Sequence, residues 1–202
     1  MTRVEKVVEC FERVFAEGHV RLSGGHPEPF YRAPRDGRPA EIRFTRDYLS
    51  SCLHEIAHWC VAGEARRRQD DYGYWYSPDG RDAQAQAAFF QAETRPQALE
   101  WIFSQACGAS FRISCDNLGG KVQGVESFTR EVAARLAIYL EGGLPVRARR
   151  FLAALMDGFH PEVEAGARPT WMAARVEKSF PPGLAIAEDG SPIEAHLAAD
   201  VT

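Results

Sequence analysis

The sequence predicts an α+β domain that is mostly helical, carries a small sheet, and has one histidine-bearing helix at its centre. Three observations lead there. Apolar residues recur at helical spacing in at least five stretches, including Val4-Val7-Val8-Phe11-Val14-Phe15 and Phe128-Val132-Leu136-Tyr139-Leu140. Only Phe30-Tyr31 and Glu41-Ile42-Arg43-Phe44, with Phe111 to Cys115 further on, read as short strands. The segment Cys52-Leu53-His54-Glu55-Ile56-Ala57-His58-Trp59-Cys60 then places two histidines four residues apart on a helix. At about 100° per residue they project about 40° apart and both reach one metal ion.

Taken in order, residues 3–17 form an amphipathic helix that Gly18 stops. Residues 18–40 are rich in Gly and Pro and read as an irregular excursion whose His19 and His26 are solvated loop residues. The central helix runs from near Arg46 to Ala62, with Gly63 as a left-handed C-cap. Leu49, Cys52, Leu53, Ile56, Trp59 and Cys60 form a broad apolar stripe on it, while His54 and His58 share the other side with Ser51, Ala57 and Val61. Such a helix is buried by core on one face and borders a cleft on the other. The run Glu64-Ala65-Arg66-Arg67-Arg68 follows, where cations suit a helix C-terminus and a contact with an acidic partner is the functional alternative.

Next, Tyr72-Gly73-Tyr74-Trp75-Tyr76 reads either as a strand with rings on alternate faces or as an aromatic substrate wall, ending in a turn at Pro78-Asp79-Gly80. Residues 82–93 read as one helix and Thr94 as the cap of a second, with Pro96 in its first turn and its end at Gly108. A turn at Asp116 to Gly120, a helix from Val125 to Leu140 stopped by Gly142-Gly143, and a helix from Arg147 to Phe159 opened by Pro145 complete the catalytic unit, residues 1–160. Residues 161–202 read as a C-terminal tail, loosely held and partly irregular.

Composition narrows the function classes. The 202 residues are 45% hydrophobic with a net charge of −4, which suits one globular domain and gives no basic field for nucleic acid. No apolar run is long enough to span a membrane, and Met1 to Lys6 lacks the apolar core of a signal peptide. The five cysteines are odd in number and scattered, as expected of reduced thiols in a cytoplasmic protein.

The H-E-x-x-H pattern is the chemical centre. His54 and His58 are the candidate metal ligands, and Glu55, about 100° round from His54, flanks the ion as an acid/base or hydrogen-bonding group. A third protein ligand leaves open positions for chemistry. Glu93 is the first choice, Asp82 the second and Asp116 the third, the latter two having turn or N-cap chemistry as their ordinary explanation. Two histidines and a carboxylate suit Fe(II). The same pattern serves a zinc metallopeptidase in which Glu55 is the general base.

The strings His54 to Gly63, Ala65-Arg66-Arg67, Tyr72 to Gln84, Pro96-Gln97-Ala98-Leu99-Glu100-Trp101 and Ser114 to Leu118 resemble the bacterial elongation factor P hydroxylases over most of residues 10–160. The resemblance implies a non-cupin, iron-dependent monooxygenase that uses O₂ and hydroxylates the β-lysylated lysine of elongation factor P. His54 and His58 correspond to its metal-binding histidines, and Fe(II) is the implied metal, although another divalent ion can occupy purified protein. A long cationic substrate chain would meet Tyr74, Trp75 and Tyr76 with Asp79, Asp82 or Asp116, and an acidic partner would dock on Arg66, Arg67 and Arg68, with Arg147, Arg149 and Arg150 beside them. A monomer is expected, with no direct contact to nucleic acid or membrane.

Overall fold

The computed structural model describes residues 1–15, 17, 20–73, 81–115, 124–180, 184–186 and 192–194. Tyr74, Trp75, Tyr76, Asp79 and Asp116 therefore lie outside the described residues.

Helix α1 (Arg3–Phe15) buries Val7, Cys10, Phe11 and Phe15, the stripe its spacing predicts. The stretch expected to be irregular instead contains β1 (Val20–His26), followed by β2 (Phe30–Arg32) and β3 (Ala40–Thr45). β3 is central: β1 runs parallel to it with Leu22 opposite Ile42, and β2 runs antiparallel with Tyr31 opposite Ile42. Burial alternates along β3, with Ala40, Ile42 and Phe44 inside. The sequence concealed β1 because Ser23-Gly24-Gly25 carries a turn signal. Gly24 is needed for packing: a Cβ there would sit 2.6 Å from the Phe44 ring. His26 is half-buried and lies 2.9 Å from the Ser23 hydroxyl, so it is not a free loop histidine.

Helix α2 (Leu49–Val61) packs on β3, α1, α4 (Ala83–Ala106) and α6 (Val146–Phe159), which makes it the central element expected. Cys52, Leu53, Ile56, Trp59 and Cys60 are buried, as its wheel predicts. Its boundaries differ from expectation. Arg46 has a positive φ of 47° and lies outside the helix, and Gly63 is not a left-handed cap. With φ −66° and ψ 169°, Gly63 is extended and opens α3 (Glu64–Arg67). The α2 terminus is closed by cations instead. Arg147 donates to the carbonyls of Trp59, Cys60 and Ala62, and Arg67 donates to that of Ala62. Those four bonds supply the donors that the last carbonyls of an isolated helix lack.

The two helices expected on either side of Thr94 are one, α4, which runs through Pro96 without a break. Thr94 does not cap; its hydroxyl donates to the Phe90 carbonyl one turn back. Pro96 removes one backbone donor, a loss that the packing of the following turns offsets, since every residue from Pro96 to Cys107 is buried. Phe111 to Cys115 forms no strand; it is held by a side chain of α4. Helices α5 (Val125–Gly142) and α6 follow within a residue or two of their expected spans.

Among the described residues that follow His160, one stretch is α-helical. Helix α7 (Arg168–Lys178) buries Met172 and Val176 in the core and packs on α4, where the Trp101 indole donates to Ser179 at 2.7 Å. Strands β4 (Leu184–Ile186) and β5 (Pro192–Glu194) form an antiparallel pair. The five cysteines are unbridged. No helix among the described residues is long and apolar enough to cross a membrane.

Candidate metal centre

Two helices build the site. α2 supplies His54 and His58 from successive turns of one face, and α4 crosses that face and supplies Glu93. Nε2 of His58 lies 3.1 Å from Nε2 of His54 and 3.1 Å from Oε1 of Glu93, while Nε2 of His54 lies 3.5 Å from Oε2 of Glu93. These three residues are the described group of donors that converge within 4.8 Å. Ligands held at about 2.1 Å around one ion, at angles between 90° and the tetrahedral value, stand about 3.0–3.4 Å apart. The donor spacing and donor chemistry therefore fit a divalent ion.

The side chains are held in place by the protein's own contacts. The Glu93 side chain is 4% exposed and those of His58 and His54 are 12% and 24% exposed, so the carboxylate is buried and the imidazoles border open space. Burial opposes charge on Glu93, but His58, His54 and the hydrogen bonds from His58 and Gln97 outweigh it and hold the carboxyl at about 2. Burial likewise opposes charge on His54, yet Glu93, Glu100 and Glu55 outweigh it and push that imidazole up to about 10. Without an ion, the cluster is a buried carboxylate facing an imidazolium. An ion would take over the positive charge.

Two residues that sequence reasoning missed complete the cluster. Glu100 Oε2 lies 2.8 Å from His54 Nδ1. Gln97, fully buried, donates to Glu93 at 3.3 Å and to the Ser114 carbonyl at 2.8 Å, and accepts from the Ser114 backbone N–H at 3.0 Å. The available signal was spacing. Glu93, Gln97 and Glu100 fall at i, i+4 and i+7, a polar strip on one face of an otherwise apolar segment. Reading two helices across Thr94 broke that strip in half.

The remaining candidates spread out. Glu55 is half-buried beside His54, and burial, with help from Glu93 and Asp71, pushes its carboxyl up despite the two histidines. Asp82 is exposed and caps α4, accepting from the Ala85 N–H at 2.8 Å. Eleven residues separate it from Glu93, about 16 Å along the helix axis, so it is not a third ligand. Arg66 donates to the Tyr72 carbonyl, Arg67 closes α2, and Arg68 pairs with Glu64 on the surface.

Two aromatic rings flank the pair: Tyr72, the first aromatic of the segment read as a possible wall, and Tyr31 of β2. The Tyr72 ring stacks on Tyr31 at 4.2 Å and on His58 at 6.2 Å between centroids. Tyr72 holds a strained φ of 58° directly after Asp71 at 47°. Asp71 accepts from the Tyr31 N–H, which ties this turn to the sheet.

Comparison with known proteins adds two findings. A family model described as elongation factor P hydroxylase matches residues 10–167. A Haemophilus influenzae protein described as elongation factor P lysine hydroxylase is 42% identical over 162 residues, spanning 79% of this chain and 91% of that protein.

Proposed function

The chain belongs to the elongation factor P hydroxylase family, and on that premise we propose that it is an iron-dependent monooxygenase that hydroxylates the β-lysylated lysine of elongation factor P. The observation that carries this reading is the convergence of His54, His58 and Glu93 within 4.8 Å, two imidazoles and one carboxylate. Three protein donors on one side of an ion leave its other positions for a co-substrate. Fe(II) held there supplies the activation of O₂ that hydroxylation of an unactivated carbon requires.

The protein's own groups do the rest. Glu93 provides the negative charge that offsets a dication, and its burial keeps that charge in a low-dielectric setting. Tyr72 and Tyr31 close the His58 side against water. Glu55 flanks His54 and, with its carboxyl pushed up by burial, holds or accepts a proton at the edge of the cleft. The substrate chain ends in ammonium groups, which Tyr74, Trp75, Tyr76, Asp79, Asp82 and Asp116 are suited to hold. Arg66, Arg67 and Arg68 would face an acidic protein, with Arg67 also serving α2.

The test is mass spectrometry of β-lysylated elongation factor P incubated with the protein, Fe(II), O₂ and a reductant. A gain of about 16 Da on the modified lysine, for one inserted oxygen atom, is the expected product. Its absence from folded, iron-loaded protein would overturn the reading. So would Zn(II)-dependent peptide cleavage that Glu55→Gln abolishes.

A further inference from the structure

We propose that Glu100 is a positioning residue of the metal centre: its carboxylate holds the Nδ1–H of His54 and thereby fixes that histidine as an Nε2 ligand. The inference rests on the metal reading above. Glu100 Oε2 lies 2.8 Å from His54 Nδ1, and in the proposed arrangement the carboxylate accepts from Nδ1–H. Nε2 is then the nitrogen left for an ion, and it is the one that faces Glu93 and His58.

The burial of Glu100 supports a dedicated role. It is 7% exposed, on a stretch of α4 where Leu99, Trp101, Ile102 and Phe103 are core residues. His54 is its one hydrogen-bond and ion-pair partner among the described residues. A carboxylate is not kept in such surroundings without compensation. The contact spans 46 residues of sequence, so it joins the two helices at the site itself.

Glu93, Gln97 and Glu100 then act as one strip on a single rigid helix. The first supplies a donor, the second steers that donor while gripping Ser114, and the third orients the histidine opposite. His58 has no matching carboxylate on its Nδ1 among the described residues; its ring is set by stacking on Tyr72. The asymmetry makes a definite expectation. Removing Glu100 loosens one ligand of three, so affinity falls without being lost, by about 10–100-fold, as for partners of metal-bound histidines elsewhere.

The experiment measures binding of Co(II) to wild-type protein, Glu100→Gln and Glu100→Ala, with thermal unfolding of the metal-free forms alongside. The Gln variant keeps the shape and an amide oxygen that accepts from Nδ1–H. It is expected to bind about tenfold more weakly with the wild-type visible spectrum. The Ala variant is expected to bind about 100-fold more weakly with an altered d–d spectrum, because His54 is then free to rotate or bind through Nδ1. Wild-type affinity and spectrum in both variants would overturn the proposal while leaving the metal reading intact. A parallel drop in metal-free stability and Co(II) binding that Gln does not rescue would overturn it too, in favour of a purely structural role. If wild-type protein takes up no Co(II), the metal reading fails and this inference with it.

Discussion

Loading an ion into the centre should release one proton at neutral pH, and that proton should come from His54. In the metal-free protein the imidazole is pushed up to about 10, so at pH 7 it carries hydrogen on both nitrogens. An ion needs the Nε2 lone pair and must displace that hydrogen. Glu93, held at about 2, is already ionised and contributes no proton. The three pH units between 7 and 10 amount to about 4 kcal/mol of binding free energy withheld at neutral pH. Apparent affinity should therefore rise about tenfold per pH unit between 7 and 9. The assay is calorimetric titration with Co(II) in two buffers of different ionisation enthalpy, where the difference in observed heat gives the proton count. A count of about one in wild-type protein, abolished in His54→Ala, is expected. No release together with a flat affinity between pH 7 and 9 would refute the picture of an imidazolium facing Glu93. The same cluster sets a pH window for the metal-free protein. His54 is raised from 6.5, so its contribution is complete below that value and is lost as pH climbs through about 10. Glu93 is lowered from 4.5, so its contribution is present above that value and is lost as pH falls through about 2.

Other perturbations test the scaffold. Arg147→Ala removes donors from three carbonyls at the end of α2 and a cation from the face of Trp59, and should cost about 2–3 kcal/mol in denaturant unfolding, with weaker Co(II) binding because His58 lies in that last turn. Gly24→Ala places a methyl 2.6 Å from the buried Phe44 ring and 2.9 Å from the Asp47 carboxylate, and should lower stability by about 1–3 kcal/mol, read as a fall in melting temperature with metal affinity unchanged. Met172→Ala should cost about 2–5 kcal/mol if α7 is part of the core, as its 2% exposure indicates; a loss below about 0.5 kcal/mol would show instead that the helix is a detachable appendage.

The elements that were legible in the sequence are those whose evidence is local. α1, α2, α5 and α6 each carry an apolar stripe of period 3.6, and burial follows those stripes. The histidine pair was legible for the same reason, since two residues four apart on one helix share a face wherever the helix goes. Glu93 was less secure. Its place before Pro96 marked it out, yet the stretch was read as ending one helix and capping another, a reading that propensity favours and packing overrides. The short strand expected at Phe111 to Cys115 did not form, because strand propensity alone supplies no pairing partner. Its Ser114 N–H and carbonyl are satisfied by the Gln97 amide, so no ladder forms there.

From its own residues the sequence determined that two imidazoles would point the same way from a helix with an apolar back, which makes the pair a candidate for a divalent ion. Tertiary structure alone decided what meets them. It ran α4 straight through a proline, so that Glu93, Gln97 and Glu100 line one face, and laid that face across α2. It brought Arg147 back across 85 residues to close the helix that bears the pair, and Tyr72 round a strained turn to stack on His58. The physical reason is common to all three. Helical periodicity is written within a few residues, whereas a buried charge, a helix end and a ring face are satisfied by whichever partner the packed chain delivers from far away.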